Sequence, residues 1–301
     1  MGLADHLVHA RGPRPSGAAP VDIISVQSQV VYGRAGNSAA AEPLRALGLR
    51  VAEIPTTVLS NAPVYPTTRG RVLPADWFAD LLRGAEERGL PARARVLLSG
   101  YLGTQANGEV FADWVERIVP SYPHLRFCLD PVLGDTHTGV YVEPGLQAIF
   151  RERLLPRAWL LMPNVFELGL LSERTCADED QCLAAAQKLL RAGPAWVIAH
   201  GIQPDQHTLV TLAVSAHASY RIASPRLPID VTGTGDALAA LLTGFTLLGE
   251  PLPRALERAV GGVHGALEAT LLAQYEELEV QLAGPAALAV TGTQFTAVRV
   301  A

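Results

Sequence analysis

The chain has 301 residues, a formal net charge of -5 and 49% hydrophobic content. That size and apolar content suit one large α/β domain or two ordinary ones, and the weak acidic balance excludes the basic surface that nucleic acid or an anionic membrane would need. No apolar run is long enough to cross a bilayer, and the three cysteines, Cys128, Cys176 and Cys182, lack metal-ligand spacing and suit a reducing compartment, so the cytoplasm is the expected location.

Met1 to Pro20 mixes Arg, His, Gly and Pro without the apolar centre of a secretory signal. It reads as a flexible N-terminal extension (residues 1–20), with residues 21–301 forming a single domain. Val21–Val26 is a short apolar run read as a buried strand. Helical patterns follow at Asn37–Leu47 and Pro74–Arg88, where Pro74 suits a helix start because its missing N–H costs nothing there. Arg95–Ser99 is a strand, Asn107–Val119 a helix, and Leu125–Leu129 and Trp159–Met162 are further strands. The pattern continues with helix Asp178–Arg191, strand Trp196–Ala199 and an edge hairpin over His207–Val214 and Ala218–Ile222. A run after Asp236 that is apolar nearly all round predicts a buried helix, and Leu252–Ala273 predicts another. This alternation implies an α/β fold, a mostly parallel central sheet with helices on both faces.

Lys188 is the only lysine, in a helical surface context, and no Gly-rich loop ends in Gly-Lys-Ser/Thr. A P-loop is therefore excluded. Any phosphate clamp must come from backbone N–H groups, arginine or metal. Thr232-Gly233-Thr234-Gly235-Asp236 leads straight into the buried helix. Gly233 and Gly235 allow backbone conformations and close approaches that a Cβ would block. A helix N-terminus offers unpaired N–H groups and partial positive charge. Together they form an anion pocket suited to a transferring phosphoryl group, with Asp236 beside it to accept a hydroxyl proton. Taken alone, the same residues read as a Gly-rich turn with an Asp cap.

Three other segments give the motif its meaning. Met162-Pro163-Asn164-Val165-Phe166-Glu167 places Asn164 and Glu167 three apart, on one helical face. They suit Mg2+ held through waters, or equally an N-cap with a first-turn Glu. Asp130-Pro131-Val132-Leu133-Gly134-Asp135 follows a strand directly, and ligands of open α/β sheets bind beyond the carboxyl ends of strands. The segments opening at Asp130, Asn164 and His200 are all expected at that end. Gln27 to Ser38, with Ser28, Gly33 and Gly36, is read as leaving the first strand; it lacks dinucleotide-fingerprint spacing.

These segments, in this order, resemble the ribokinase-like superfamily and specifically its pyridoxal kinases, over roughly Ile23 to Thr270. The resemblance implies ATP-dependent phosphorylation of the 5′-hydroxyl of pyridoxal or other B6 vitamers, with ATP and Mg2+ as cofactors and a homodimer as the assembly. It implies that Ser28 contacts the pyridine ring and Tyr101, in Ser99-Gly100-Tyr101-Leu102-Gly103, walls its pocket. Asp236 is implied as base beside the Gly233-Thr234-Gly235 anion hole. Asp130, Glu167 and Thr232 would attend the nucleotide, and Asn164, Glu167 and Asp135 the metal. Thr136–Tyr141 is a candidate cover loop.

The chain also departs from that pattern. Ser60-Asn61-Ala62-Pro63 stands where Ser-Asn-His-Thr is usual, Gln29 where His is usual, Ala199-His200 where Lys-His is common, and Met162 where a smaller or hydroxylated residue is usual. Losing a buried hydrogen bond costs about 1–3 kcal/mol, enough to shift substrate preference. A kinase for another small alcohol stays open; hydroxymethylpyrimidine kinases commonly carry Cys where Asp236 stands, and sugar kinases share the Gly-x-Gly-Asp ending. A catalytically inactive B6-binding protein is the alternative of a different class.

Overall fold

The alternation of apolar runs and helical stretches closes into one ten-stranded sheet. The structure is a computed structural model that describes residues 17–280 and 295–300. The expected extension falls, up to residue 16, outside the described residues, while residues 17–20 are exposed coil. In chain order come β1 (Ile23–Tyr32), α1 (Asn37–Ala46), β2 (Val51–Asn61), β3 (Gly70–Val72), α2 (Ala75–Glu87), α3 (Leu90–Arg93), β4 (Val96–Ser99) and α4 (Gln105–Ser121). Then follow β5 (Arg126–Leu129), β6 (Gly134–Asp135), β7 (Gly139–Val140), α5 (Pro144–Ile149), β8 (Leu160–Leu161), α6 (Val165–Ser172) and α7 (Glu179–Leu190). The rest is β9 (Trp196–Ile202), β10 (Thr208–Ser215), β11 (Ser219–Pro225), α8 (Thr234–Leu247), α9 (Leu252–Ala273) and β12 (Val298–Arg299).

The sheet order is β12-β11-β10-β9-β8-β5-β4-β1-β2-β3, with β6 and β7 pairing separately. Pairing is parallel from β2 through β9. It turns antiparallel at both margins, where the expected hairpin β10–β11 extends one edge and β3 closes the other. Successive strand residues point to opposite faces. Along β4, Leu97 enters one core layer with Phe78, Phe111 and Leu189 of α2, α4 and α7. Its neighbours Val96 and Leu98 enter the other, with Leu44, Phe245 and Leu256 of α1, α8 and α9. Helices therefore cover both faces, as the apolar patterning requires. The run Ala237–Phe245 is buried throughout, so α8 lies against the sheet as a core element.

Two strand boundaries near the site differ from expectation. β1 does not end at Val26 but runs to Tyr32, paired to Asn61 of β2, with a register shift between Gln27 and Gln29. Gln27, Ser28 and Gln29 therefore lie within a strand, not after it. Their polarity masks the strand, because Ser25, Gln27 and Ser28 are buried polar residues inside the sheet. β2 carries Pro55 opposite Gln27, at the start of that same irregularity, where a missing N–H is tolerated. β9 continues to Ile202, so His200 is a strand residue, not the start of a connecting segment.

Phe111 is fully buried and meets the rings of Trp114 and Phe127. Phe111→Ala should lower unfolding free energy by about 3–5 kcal/mol, read from urea denaturation midpoints.

Candidate active site

The first turn of α8, the loop after β1 and the segment after β5 meet beyond the carboxyl ends of the central parallel strands. Gly233 precedes α8 with φ 87°, a left-handed conformation that favours glycine. A Cβ there would lie 2.6 Å from the Arg34 carbonyl oxygen. Gly235 differs: its φ is not left-handed, and the nearest atom to an added Cβ is His200 Cε1, at 3.8 Å. Protein packing does not demand glycine at 235. The opening N–H groups of α8 have no acceptors within the helix. The Thr232 hydroxyl is buried with no hydrogen-bond partner among the described residues.

Asp236, in that first turn, accepts a hydrogen bond at Oδ2 from the Gly36 N–H at 2.8 Å. Gly36 has φ 54°, and a Cβ on it would collide with the backbone and hydroxyl of Ser28. Burial raises the Asp236 pKa above the ordinary carboxylate range, and the Gly36 N–H opposes that shift. Gly36 is the partner that sequence reasoning missed; its only signal was a second glycine after the first strand.

On the opposite side Asp130 follows β5 and is buried. Burial, then the negative charges of Glu167 and Asp236, push its carboxyl well above the usual range. Glu167 is also buried. Its Oε1 accepts the Leu133 and Gly134 N–H groups at 2.9 and 3.4 Å, and Oε2 accepts the Asn164 N–H at 3.0 Å. Asn164 Oδ1 accepts the Glu167 N–H at 2.9 Å, and its amide donates to the Gly134 carbonyl at 2.8 Å. The pair is thus a capping box that pins the 130–134 turn to α6. Burial still pushes Glu167 up to about 8 against these donors. Asp135 Oδ1 accepts the His137 and Thr138 N–H groups, both at 2.7 Å, fixing the β6–β7 turn. Among the described residues no set of three His, Cys, Asp or Glu side chains is grouped to hold a metal unaided.

Tyr141 is exposed yet lies close enough to both sides to feel their charges. The charges of Glu167, Asp130, Asp236 and Asp135 all raise its pKa, after burial. It ends the stretch expected as a cover loop, and its ring lies 6.5 Å from that of Tyr101. Tyr101 is half-buried and its carbonyl accepts the Thr56 hydroxyl at 2.6 Å. Ser28 lies at the β1 register shift beneath Gly36. In the departing segment Ala62 is buried and Pro63 exposed, and Asn61 donates to the Ala62 and Thr67 carbonyls, closing that turn on itself. His200 is neutral at ordinary pH: burial pushes it down to about 4, although its ring hydrogen-bonds the Met162 backbone.

The sequence model of a family described as Phosphomethylpyrimidine kinase matches residues 95–281. Pyridoxine/pyridoxal/pyridoxamine kinase of Bordetella bronchiseptica is 42% identical over 280 residues, covering 92% of this chain and 98% of that protein. Pyridoxal kinase PdxY of Rubrobacter xylanophilus is 38% identical over 264 residues, covering 86% and 91%. Among solved structures, pyridoxal kinase from Leishmania donovani in complex with ADP and pyridoxamine superposes with a TM-score of 0.86 at 26% identity, covering 93% of this chain and 99% of that one. Pyridoxal kinase from Entamoeba histolytica, at 23% identity, has a TM-score of 0.87 with coverage of 94% and 100%, and shares the fold.

Glu167→Gln keeps one oxygen acceptor but turns the other into a donor facing a backbone N–H. Unfolding free energy should fall by about 1–3 kcal/mol, measured by urea denaturation. An unchanged midpoint would contradict the clamp.

Proposed function

This chain belongs to the pyridoxal kinase family, and on that premise we propose how its residues divide the transfer of the terminal phosphoryl group of ATP to the 5′-hydroxyl of pyridoxal and related B6 vitamers. It is a kinase acting on an alcohol group. The observation that carries the reading is Asp236, half-buried in the first turn of α8 and aimed by the Gly36 N–H. Asp236 takes the proton of the vitamer hydroxyl as that oxygen attacks phosphorus. The N–H groups opening α8, with Thr234 and Gly235, receive the charge on the non-bridging phosphoryl oxygens. The Thr232 hydroxyl, which finds no partner among the described residues, supplies a further donor to the nucleotide. Ser28 and Tyr101 wall the pyridine ring.

Asp130 attends the phosphates. Its environment fits a cation, because burial and two neighbouring carboxylates all oppose its ionisation. Mg2+ would suit this charge: Asp130 and Asp135 would hold it, with Asn164 and Glu167 shaping the site around it. When bound, the ion would neutralise charge on the phosphates. The hydrogen bonds of Glu167 and Asn164 favour an indirect part for both. The identity with a relative named for all three vitamers supports broad vitamer use. The length shared with that relative supports a single kinase domain from residue 21; a homodimer is what the family resemblance implies, and cysteines without a disulfide suit the cytoplasm.

Asp236→Asn should cut kcat by about 10²–10⁴-fold in a coupled assay with pyridoxal, while ADP binding by calorimetry persists. Near-normal turnover would remove Asp236 from the role of base. In the parent protein kcat should fall as pH drops through the Asp236 pKa, since the base must be ionised. Burial raises that pKa, so the decline begins above the ordinary carboxylate range and is absent in the Asn variant. Gly235→Ala, which meets no protein atom closely, should fold normally yet lose turnover, because its methyl occupies phosphate space. An unchanged kcat would refute that approach. Turnover of hydroxymethylpyrimidine or ribose with none of any B6 vitamer would overturn the substrate assignment.

A further inference from the structure

Glu277 lies beyond α9, in a segment to which neither the motifs nor the catalytic reading gives a part. Its carboxylate spans two elements near the site. Oε2 accepts the Arg34 N–H at 2.9 Å, and Oε1 accepts the Tyr65 hydroxyl at 2.6 Å. Gly33 makes room for it, because any Cβ at that position would collide with the Glu277 carboxyl group. Two residues further along the same loop, the Gly36 N–H donates to Asp236 at 2.8 Å. Alternate amides of one short loop are therefore held by two carboxylates, one of them the base.

The segment carrying Glu277 is anchored on the base's own helix. Leu278 and Val280 are buried with Ala237, the residue after Asp236, and Val231 packs against them. The Glu279 N–H donates to the Thr270 hydroxyl of α9 at 2.8 Å. A closed circuit results: Asp236 to Gly36, along the loop to Arg34, to Glu277, through Leu278 to Ala237 and back. Arg34 also backs its carbonyl onto Gly233. Displacing Glu277 releases one side of the loop that aims the Gly36 N–H. Tyr65 belongs to the turn after β2, and its ring lies 5.9 Å from that of Tyr32, so the same carboxylate ties that turn to the end of β1.

We infer that Glu277 is a positioning residue that fixes the Gly33–Gly36 loop against Asp236 and holds the turn bearing Tyr65 over the alcohol side of the site. The inference rests on Asp236 being the base. Glu277 touches no reacting atom; it acts through the Arg34 amide and the Tyr65 hydroxyl.

The experiment compares Glu277→Ala, Glu277→Gln and Tyr65→Phe in the full chain, by steady-state kinetics with pyridoxal and ATP and by amide hydrogen exchange. Glu277→Ala should lower kcat by about 10–100-fold, the scale of a misplaced catalytic group. Glu277→Gln keeps an oxygen for the Arg34 N–H and should recover most of that loss. Tyr65→Phe should raise the pyridoxal KM more than it lowers kcat. In Glu277→Ala the Gly36 amide should exchange faster, although its acceptor is Asp236 and is untouched. A protected Gly36 amide, or a Gln variant as impaired as the Ala variant, would overturn the inference. If the Ala variant fails to fold, the Gln and Phe variants decide it: normal pyridoxal KM in Tyr65→Phe, or a large kcat loss in Glu277→Gln, would overturn it. Parent protein inactive on every B6 vitamer would strike the substrate reading instead, and Gly36 exchange would still decide the part of Glu277.

Discussion

The hydrogen bond from the Gly36 N–H to Asp236 joins positions 200 residues apart, and much of the site's geometry follows from it. A carboxylate drawn out of water is costly unless donors compensate it. Here the donor is a backbone amide presented by a loop in left-handed geometry. That loop reaches Asp236 because Gly36 has no side chain to strike Ser28 and Gly233 none to strike Arg34. The strand end and the helix start are thus interlocked at two side-chain-free points. Ser28, at the register shift of β1, sits under the same contact, so the alcohol and phosphate sides of the proposed site would share one mechanical reference.

The other half of the site is organised by repulsion. Asp130 is buried with Glu167 and Asp236 close enough to disfavour its charge, and Tyr141 feels all three together with Asp135. Glu167 survives in this setting because three backbone N–H groups meet its two oxygens. Its work is to hold the 130–134 turn on α6. In the proposed reading, phosphate recognition without a nearby lysine would rest on dipoles at a helix start and on a cation arriving with the nucleotide, a division that a field of carboxylates favours.

What the sequence made legible was the part written in apolar periodicity and in helix-start chemistry. The five central strands and the helices on both faces are short apolar runs and amphipathic stretches, and α8 is apolar all round because it is buried all round. The Asn164–Glu167 pair was readable as a capping box from spacing alone. β1 beyond Val26 was not legible, because Gln27, Ser28 and Gln29 are polar and their place in the sheet depends on β2. β2 itself was hidden by Pro55 and a mixed pattern. Gly36 and Glu277 were invisible as partners, since local signals do not encode contacts across most of the chain. Gly235 marks the opposite case: its glycine looked conformational and is instead open space.

Lys188 is the sequence's only lysine. It lies on α7, where its ammonium donates to the Ser172 carbonyl at 2.6 Å and faces Glu173 at 3.9 Å. Pyridoxal and its phosphate are aldehydes, and aldehydes condense with uncharged amines. A kinase that must release such a product gains from offering few side-chain amines that could capture it. Surface cation duty falls instead to arginine, whose guanidinium stays protonated and is a poor partner for that condensation. The scarcity that ruled out one kind of phosphate clamp also leaves the protein with little surface on which its own product can become covalently stranded.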